Sequence, residues 1–93
     1  MSETSSAKVS IINKLGLHAR PAMVFVEKAA AFASSVTVRR TDSTEAVDGK
    51  SIMQMMMLAA TQGTEIEISA HGADAAEAIR ELAALVKSGF AEE

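Results

Sequence analysis

Apolar positions recur along this chain with two periods, and the switches between them mark its elements. Val9, Ser10, Ile11, Ile12 and Asn13 form a short, β-branched run closed by an asparagine, which predicts a first strand. From Ala19 to Ala33, the residues Ala22, Phe25, Val26, Ala29 and Ala30 return every three or four positions, one face of a helix. Pro21 is compatible with it because it falls in the first turn. Val36, Thr37, Val38 and Arg39 alternate as a half-buried strand, and the polar cluster Thr41-Asp42-Ser43-Thr44 turns the chain into a second short run at Ala46 and Val47, predicting a hairpin. Ser51, with Gln54 three positions on, opens an apolar stretch ending at Leu58 and has the form of a helix capping box. Gly63 breaks the chain before Thr64 to Ala70, where Ile66 and Ile68 share the core face of a strand. Asp74 and Glu77 repeat the capping pattern, and Ala75, Ala78, Ile79, Leu82, Leu85 and Val86 draw a stripe that runs to Lys87 and stops at Gly89.

The order is βαββαβα, with residues 1–6 a flexible lead-in. Each helix has a single apolar stripe, so the expected architecture is α+β: an open-faced sandwich with the helices on one face of the sheet. Strand order does not follow from the pattern. At 93 residues the chain has room for one domain, residues 1–93. Hydrophobic residues make up 48% of it but aromatics only 3%, so the core must be built from aliphatic side chains, Ala and Met.

Composition narrows the chemistry. Cysteine is absent, which removes disulfides, thiolate metal sites and thiol nucleophiles, and no cofactor or metal is expected. No apolar run approaches the roughly 20 residues that cross a bilayer, and Met1 to Ala7 does not resemble a signal sequence, so a soluble, cytoplasmic monomer with no membrane partner is expected. A net charge of −3 with scattered Lys and Arg argues against nucleic acid, whose backbone needs a basic face.

The segment Asn13-Lys14-Leu15-Gly16-Leu17-His18-Ala19-Arg20-Pro21-Ala22-Met23 sets a histidine and an arginine where a strand turns into a helix. The unpaired N–H groups and positive dipole end of a helix favour an anion, phosphate above all, and oppose further positive charge. That field leaves a ring nitrogen of His18 available as a nucleophile, and Arg20 can offer a forked donor to phosphate oxygens. Phosphoryl transfer needs mainly position and charge stabilisation, which these features supply. The competing reading is a capping or loop histidine, and spacing alone does not decide between them. His71, between Ala70 and Gly72, reads as a solvated or structural loop histidine.

The string Gly16-Leu17-His18-Ala19-Arg20-Pro21-Ala22 resembles the phosphohistidine motif of the HPr phosphocarriers of the bacterial phosphoenolpyruvate-dependent phosphotransferase system. Gly49-Lys50-Ser51-Ile52-Met53 is similar to that family's regulatory serine motif, and Thr61-Gln62-Gly63-Thr64 with Ile66 and Ile68 to the entry of its last strand. The matches run in family order from about Val9 to Val86. The resemblance implies a four-stranded antiparallel sheet with three helices. It also implies that His18 accepts a phosphoryl group on Nδ1 from Enzyme I and passes it to an Enzyme IIA domain, with Arg20 pairing the phosphate. The chain is then a carrier rather than an enzyme.

Ser51 caps a helix on the pattern, and the resemblance makes it a candidate phosphorylation site for an HPr kinase. Met53, Met55, Met56 and Met57 crowd one short helix that cannot bury them all. If Ile52, Met55 and Ala59 face inward, Met53 and Met56 are exposed. The resemblance then points to Met23, Ile52, Met53 and Met56 as a contact patch around His18, with Ile52 drawn inward by pattern and outward by resemblance. Lys50-Ser51-Ile52-Met53 leans toward the general HPr of sugar uptake, whereas Asn13-Lys14-Leu15-Gly16 and the closing Lys87-Ser88-Gly89-Phe90-Ala91-Glu92-Glu93 resemble the nitrogen-type regulatory carrier. A further alternative is a phosphoserine-dependent module that binds a transcription regulator. Family members of that kind lack the histidine present here.

Overall fold

Side-chain alternation along four strands separates an apolar from a polar face, and one antiparallel sheet results. The computed structural model describes residues 3–90, with β1 at Glu3–Ser10, α1 at Ala19–Ala30, β2 at Ser35–Arg40, β3 at Ala46–Asp48, α2 at Ile52–Met57, β4 at Glu65–Gly72 and α3 at Ala75–Lys87. The strand order is β1-β4-β2-β3. Val9 pairs with Ile66, and Ile68 lies between Ala7 and Val38, so one face of the sheet presents Val9, Ile66, Ile68, Val36 and Val38, all buried. The other face carries Lys8, Glu67, Ser69, Thr37 and Arg39, which have nothing apolar to offer a helix. The helices accordingly cover one side only. Helix α1 buries Pro21, Ala22, Phe25 and Ala29, while α3 buries Ala78, Ile79, Leu82 and Val86 against β1 and β4. Burying a side chain of the size of Phe25 contributes about 1.5–3 kcal/mol, and Phe25 and Phe90 are the largest fully buried side chains among the described residues.

Several local expectations are corrected by tertiary contacts. The lead-in expected at residues 1–6 belongs to a strand from Glu3 onward, because backbone pairing of Glu3–Ser6 with Ser69–Gly72 needs no apolar outer side chains; residues 1–2 lie outside the described residues. The first helix ends at Ala30 rather than Ala33. Beyond it, the Asp74 carboxylate accepts from the Ala33 and Ser34 amides, each at 2.9 Å, and from the Ser34 hydroxyl, while Lys50 Nζ donates to the Phe32 carbonyl at 2.8 Å. Asp74 therefore sits at the N-cap of α3 without capping it, its side chain engaged by the loop after α1. Those three donors hold its carboxyl below the usual carboxylate range.

At α2 the Ser51 hydroxyl accepts from the Gln54 amide at 3.2 Å, as the capping pattern predicts. The Gln54 side chain turns instead to the Asp48 amide at 2.9 Å, so the helix is tied to β3. Ala59 does not face inward: the helix is over at Met57, and Ala59 is exposed with φ +54 between buried Leu58 and Ala60. Arg40, forked onto Asp42 at 3.1 and 3.0 Å, donates to the Leu58 and Ala59 carbonyls at 3.3 Å each and holds this end of α2 against the hairpin. His71 is in β4 rather than a loop, exposed, with Nδ1 2.8 Å from the Thr4 hydroxyl.

After α3, the Gly89 amide bonds the Val86 carbonyl at 3.0 Å and the Phe90 amide the Leu85 carbonyl at 2.8 Å, a Schellman turn with Gly89 at φ +75. The turn drives Phe90 into the core, although its place after the stop signal at Gly89 marked it as tail.

Candidate functional site at the start of the first helix

The loop between β1 and α1 is built around a tight turn. The Gly16 amide returns to the Asn13 carbonyl at 3.0 Å, Asn13 Nδ2 donates to the Gly16 carbonyl at 2.6 Å, and Gly16 has φ +71. This glycine is also where two backbones meet: a Cβ there would lie 2.6 Å from the Ala60 carbonyl oxygen and 2.9 Å from Thr61 Cα. Next, the Leu17 amide bonds Ala60 O at 2.9 Å and the Leu17 side chain is buried. The turn and that anchor deliver His18 to the N-cap of α1.

His18 has extended backbone angles, and its carbonyl accepts the first helical bond, from Ala22 at 3.0 Å. Its side chain does not cap the helix. The ring is half-buried, with Nε2 shielded from solvent inside the protein. Helical geometry leaves the Ala19 and Arg20 amides without intrahelical acceptors, and Pro21 has no amide to offer. The first turn of α1 contains no acidic residue, so nothing on the helix itself offsets the positive end of its dipole. Arg20 is exposed and lines an open groove with Lys14, Leu15, Val24, Gln62 and Phe90, so a second cation shares its surface. An anion at this helix start would meet the amides of the first turn and, on the groove side, the Arg20 guanidinium. Among the described residues, no cluster of His, Asp and Glu could hold a metal ion, and no helix is long and apolar enough to cross a membrane.

Of the residues singled out in the sequence, His18 and Arg20 fall together at this helix start. Met23 lies one turn along α1 on its exposed side, and α2 packs beside α1. On α2, Met53 and Met56 are exposed and Met55 is fully buried, as helical geometry requires. Ile52 divides the two expectations, being half-buried and packed against the core. Ser51, at the N-cap of α2, is likewise half-buried. Exposed Met57, Ile12 and Leu15 and the cation Lys14 join this surface without being candidates on the sequence pattern. The first two of these sit in runs whose apolar pattern pointed inward, and Leu15 becomes an outer residue only because Gly16 turns the chain.

Comparison with known proteins agrees with the fold and identifies the family. A family model described as the PTS HPr component phosphorylation site matches residues 5–88. The phosphocarrier protein HPr of Neisseria meningitidis is 52% identical over 84 residues, covering 90% of this chain and 92% of the relative. The phosphocarrier protein NPr of Proteus mirabilis is 43% identical over 90 residues, covering 97% and 99%. Among solved structures, HPr-C-His from Thermoanaerobacter tengcongensis superposes with a TM-score of 0.88 at 43% identity over 96% of this chain and 98% of that one. A matched span that reaches from β1 into the end of α3, the shared sheet topology, and a histidine and an arginine at one helix start lead to a single assignment: this chain belongs to the HPr family of phosphocarrier proteins of the phosphotransferase system.

Proposed function

We propose that this protein carries a phosphoryl group on His18, taking it from phospho-Enzyme I and giving it to Enzyme IIA domains of the phosphoenolpyruvate-dependent sugar phosphotransferase system. The observation that carries this reading is His18 at the N-cap of α1 with Nε2 shielded and no capping duty for its ring. Shielding of Nε2 favours Nδ1 as the atom that attacks phosphorus, while the P–N or P–O bond to the donor breaks and leaves its electron pair there. The Ala19 and Arg20 amides and the Arg20 guanidinium face the charge that builds on the phosphoryl oxygens. The rest of the reaction is supplied by the partners in this reading. It acts as a cytoplasmic monomer.

Mixing the protein with phosphoenolpyruvate, Mg2+ and Enzyme I should yield one acid-labile phosphate per chain. His18→Ala should take none, and an alanine variant that still accepts such a phosphate would overturn the assignment. Met23, Ile52, Met53 and Met56 form the docking patch in this reading, a small interface suited to quick release. Chemical-shift mapping with Enzyme I should perturb their methyl groups, and undisturbed methyls would remove the patch.

Ser51 is a second, regulatory site in this reading. Its hydroxyl caps α2 yet stays partly exposed, and phosphate there would add charge beside the docking patch and slow transfer at His18. Incubation with an HPr kinase and ATP should modify Ser51, and a chain left unmodified would end the proposal. A nitrogen-type regulatory role is compatible with the same relatives: the NPr of Proteus mirabilis aligns over 97% of this chain at 43% identity, and the HPr of Neisseria meningitidis over 90% at 52%. Transfer rates to sugar-specific and nitrogen-type Enzyme IIA domains, compared side by side, decide between them. A role confined to phosphoserine-dependent binding of a transcription regulator predicts no phosphate on His18 at all.

A further inference from the structure

The methionines of the docking patch, and Met57 at the end of the same helix, are exposed to a degree unusual for this residue, which normally fills cores. Met53 and Met57 are 77% and 76% exposed, Met23 and Met56 are 50% and 46%, and Met55 on the same helix is 0%. Helix α2 has no acidic residue in its first turn and no basic residue in its last, so apart from Gln54 the surface it offers is made of thioethers and Ile52. A partner docking here gains its affinity from soft apolar contact, with no charge on the helix to substitute for it.

We infer that Met53, Met56 and Met57 on α2, with Met23 on α1, form a peroxide-sensitive modification site whose conversion to methionine sulfoxide lowers the affinity of this protein for its phosphoryl donor. The inference rests on the docking role proposed above. The co-reactant is hydrogen peroxide or an organic hydroperoxide. A sulfur lone pair attacks the outer peroxide oxygen, the S–O bond forms as the O–O bond breaks, and the departing oxygen leaves as water or an alcohol after taking up the proton. Sulfur is oxidised by two electrons and the peroxide is reduced by two. Sulfoxide places a polar oxygen where the partner needs an apolar surface, and that oxygen loses its hydrating water on docking. Met55, which anchors α2 in the core, is out of reach, and the Ser51 cap is untouched. The chemistry therefore alters the docking surface and spares the fold.

The test is a hydrogen peroxide titration of the intact chain, read by peptide mass mapping and by steady-state phosphoryl transfer from phospho-Enzyme I. Met53 and Met57 should acquire oxygen first, then Met23 and Met56, with Met55 last. The KM for this protein should rise by about tenfold with little change in kcat, the circular dichroism spectrum should hold, and methionine sulfoxide reductases should restore the starting KM. A variant combining Met23→Leu, Met53→Leu, Met56→Leu and Met57→Leu, compared with itself before and after peroxide, should keep its KM. Sulfoxides formed in this order with KM unchanged, Met55 reacting as fast as Met53, or an equal peroxide response in the leucine variant would each overturn the inference. The untreated chain separates this from the parent reading: failure to take phosphate before any peroxide is added removes both, whereas normal transfer that ignores oxidation removes only the inference.

Discussion

Gly16→Ala is the perturbation that best tests how the fold holds the proposed phosphoryl site. Two costs meet at this position. The backbone has φ +71, a conformation that costs an ordinary L-residue about 1–2 kcal/mol. The new Cβ would also stand 2.6 Å from Ala60 O and 2.9 Å from Thr61 Cα, both backbone atoms that cannot rotate away. Relief requires the 13–17 loop to separate from residues 60–61, which breaks the Leu17 amide bond to Ala60 O, worth about 0.5–1.5 kcal/mol. The sum is about 1.5–3.5 kcal/mol, or roughly 6–28 °C in melting temperature for a domain of this size. His18 follows Leu17 directly, so transfer from Enzyme I should fall more steeply than stability alone predicts at a temperature where the variant is folded. Gly63→Ala is the control: φ is +91 but nothing lies within 4 Å of its Cβ, so it carries the conformational cost without the collision. Thermal melts of both variants, with single-turnover phosphoryl transfer at a temperature well below both midpoints, separate the terms. Equal destabilisation by the two substitutions, or full transfer by Gly16→Ala, would refute the claim that contact with Ala60 and Thr61 positions His18.

Other expectations are simpler to check. Ser51→Ala removes the hydroxyl that accepts from the Gln54 amide and should cost about 1 kcal/mol in a urea melt, whereas Ser51→Asp, which can still cap, should cost less. Met55→Ala empties a fully buried site and should cost about 2–5 kcal/mol by denaturant unfolding, while Met53→Ala, at the surface of the same helix, should change stability by less than about 0.5 kcal/mol. Asp74 governs a pH dependence. Its carboxyl is held below the usual range by the Ser34 hydroxyl and the Ala33 and Ser34 amides, and that of Asp42 is held low by Arg40. Groups lowered on folding stabilise the folded state above their unfolded value of about 3.9, and that stability is lost as pH falls through the folded values. Stability should therefore drop as the solution is acidified below about pH 4, and Asp74→Asn should flatten that drop while lowering stability at pH 7. A variant whose acid profile matches the parent would show that the Asp74 contacts are not formed in solution.

Much of this protein is determined by its sequence through local physics. Alternation at Ile66 and Ile68, the three- and four-residue spacing from Ala22 to Ala29, and the stripe from Ala75 to Val86 produced the element order and the helix-covered face, because burial of one face is a property of each segment alone. His18 and Arg20 were legible for the same reason: both belong to one turn, and a helix start favours anions wherever it occurs. What lay between segments was decided only by the folded chain. Nothing local says that β4 sits between β1 and β2, that Glu3–Ser6 finds a partner strand, or that Asp74 turns from its own helix to the loop after α1. The same holds at the site, where the position of His18 depends on a close approach of Gly16 to Ala60, far apart in sequence, and the groove beside Arg20 closes only when a Schellman turn brings Phe90 back to the core. Segments carry their own periodicity, but register, loop contacts and helix ends depend on which distant groups satisfy the backbone, and those meet only in three dimensions.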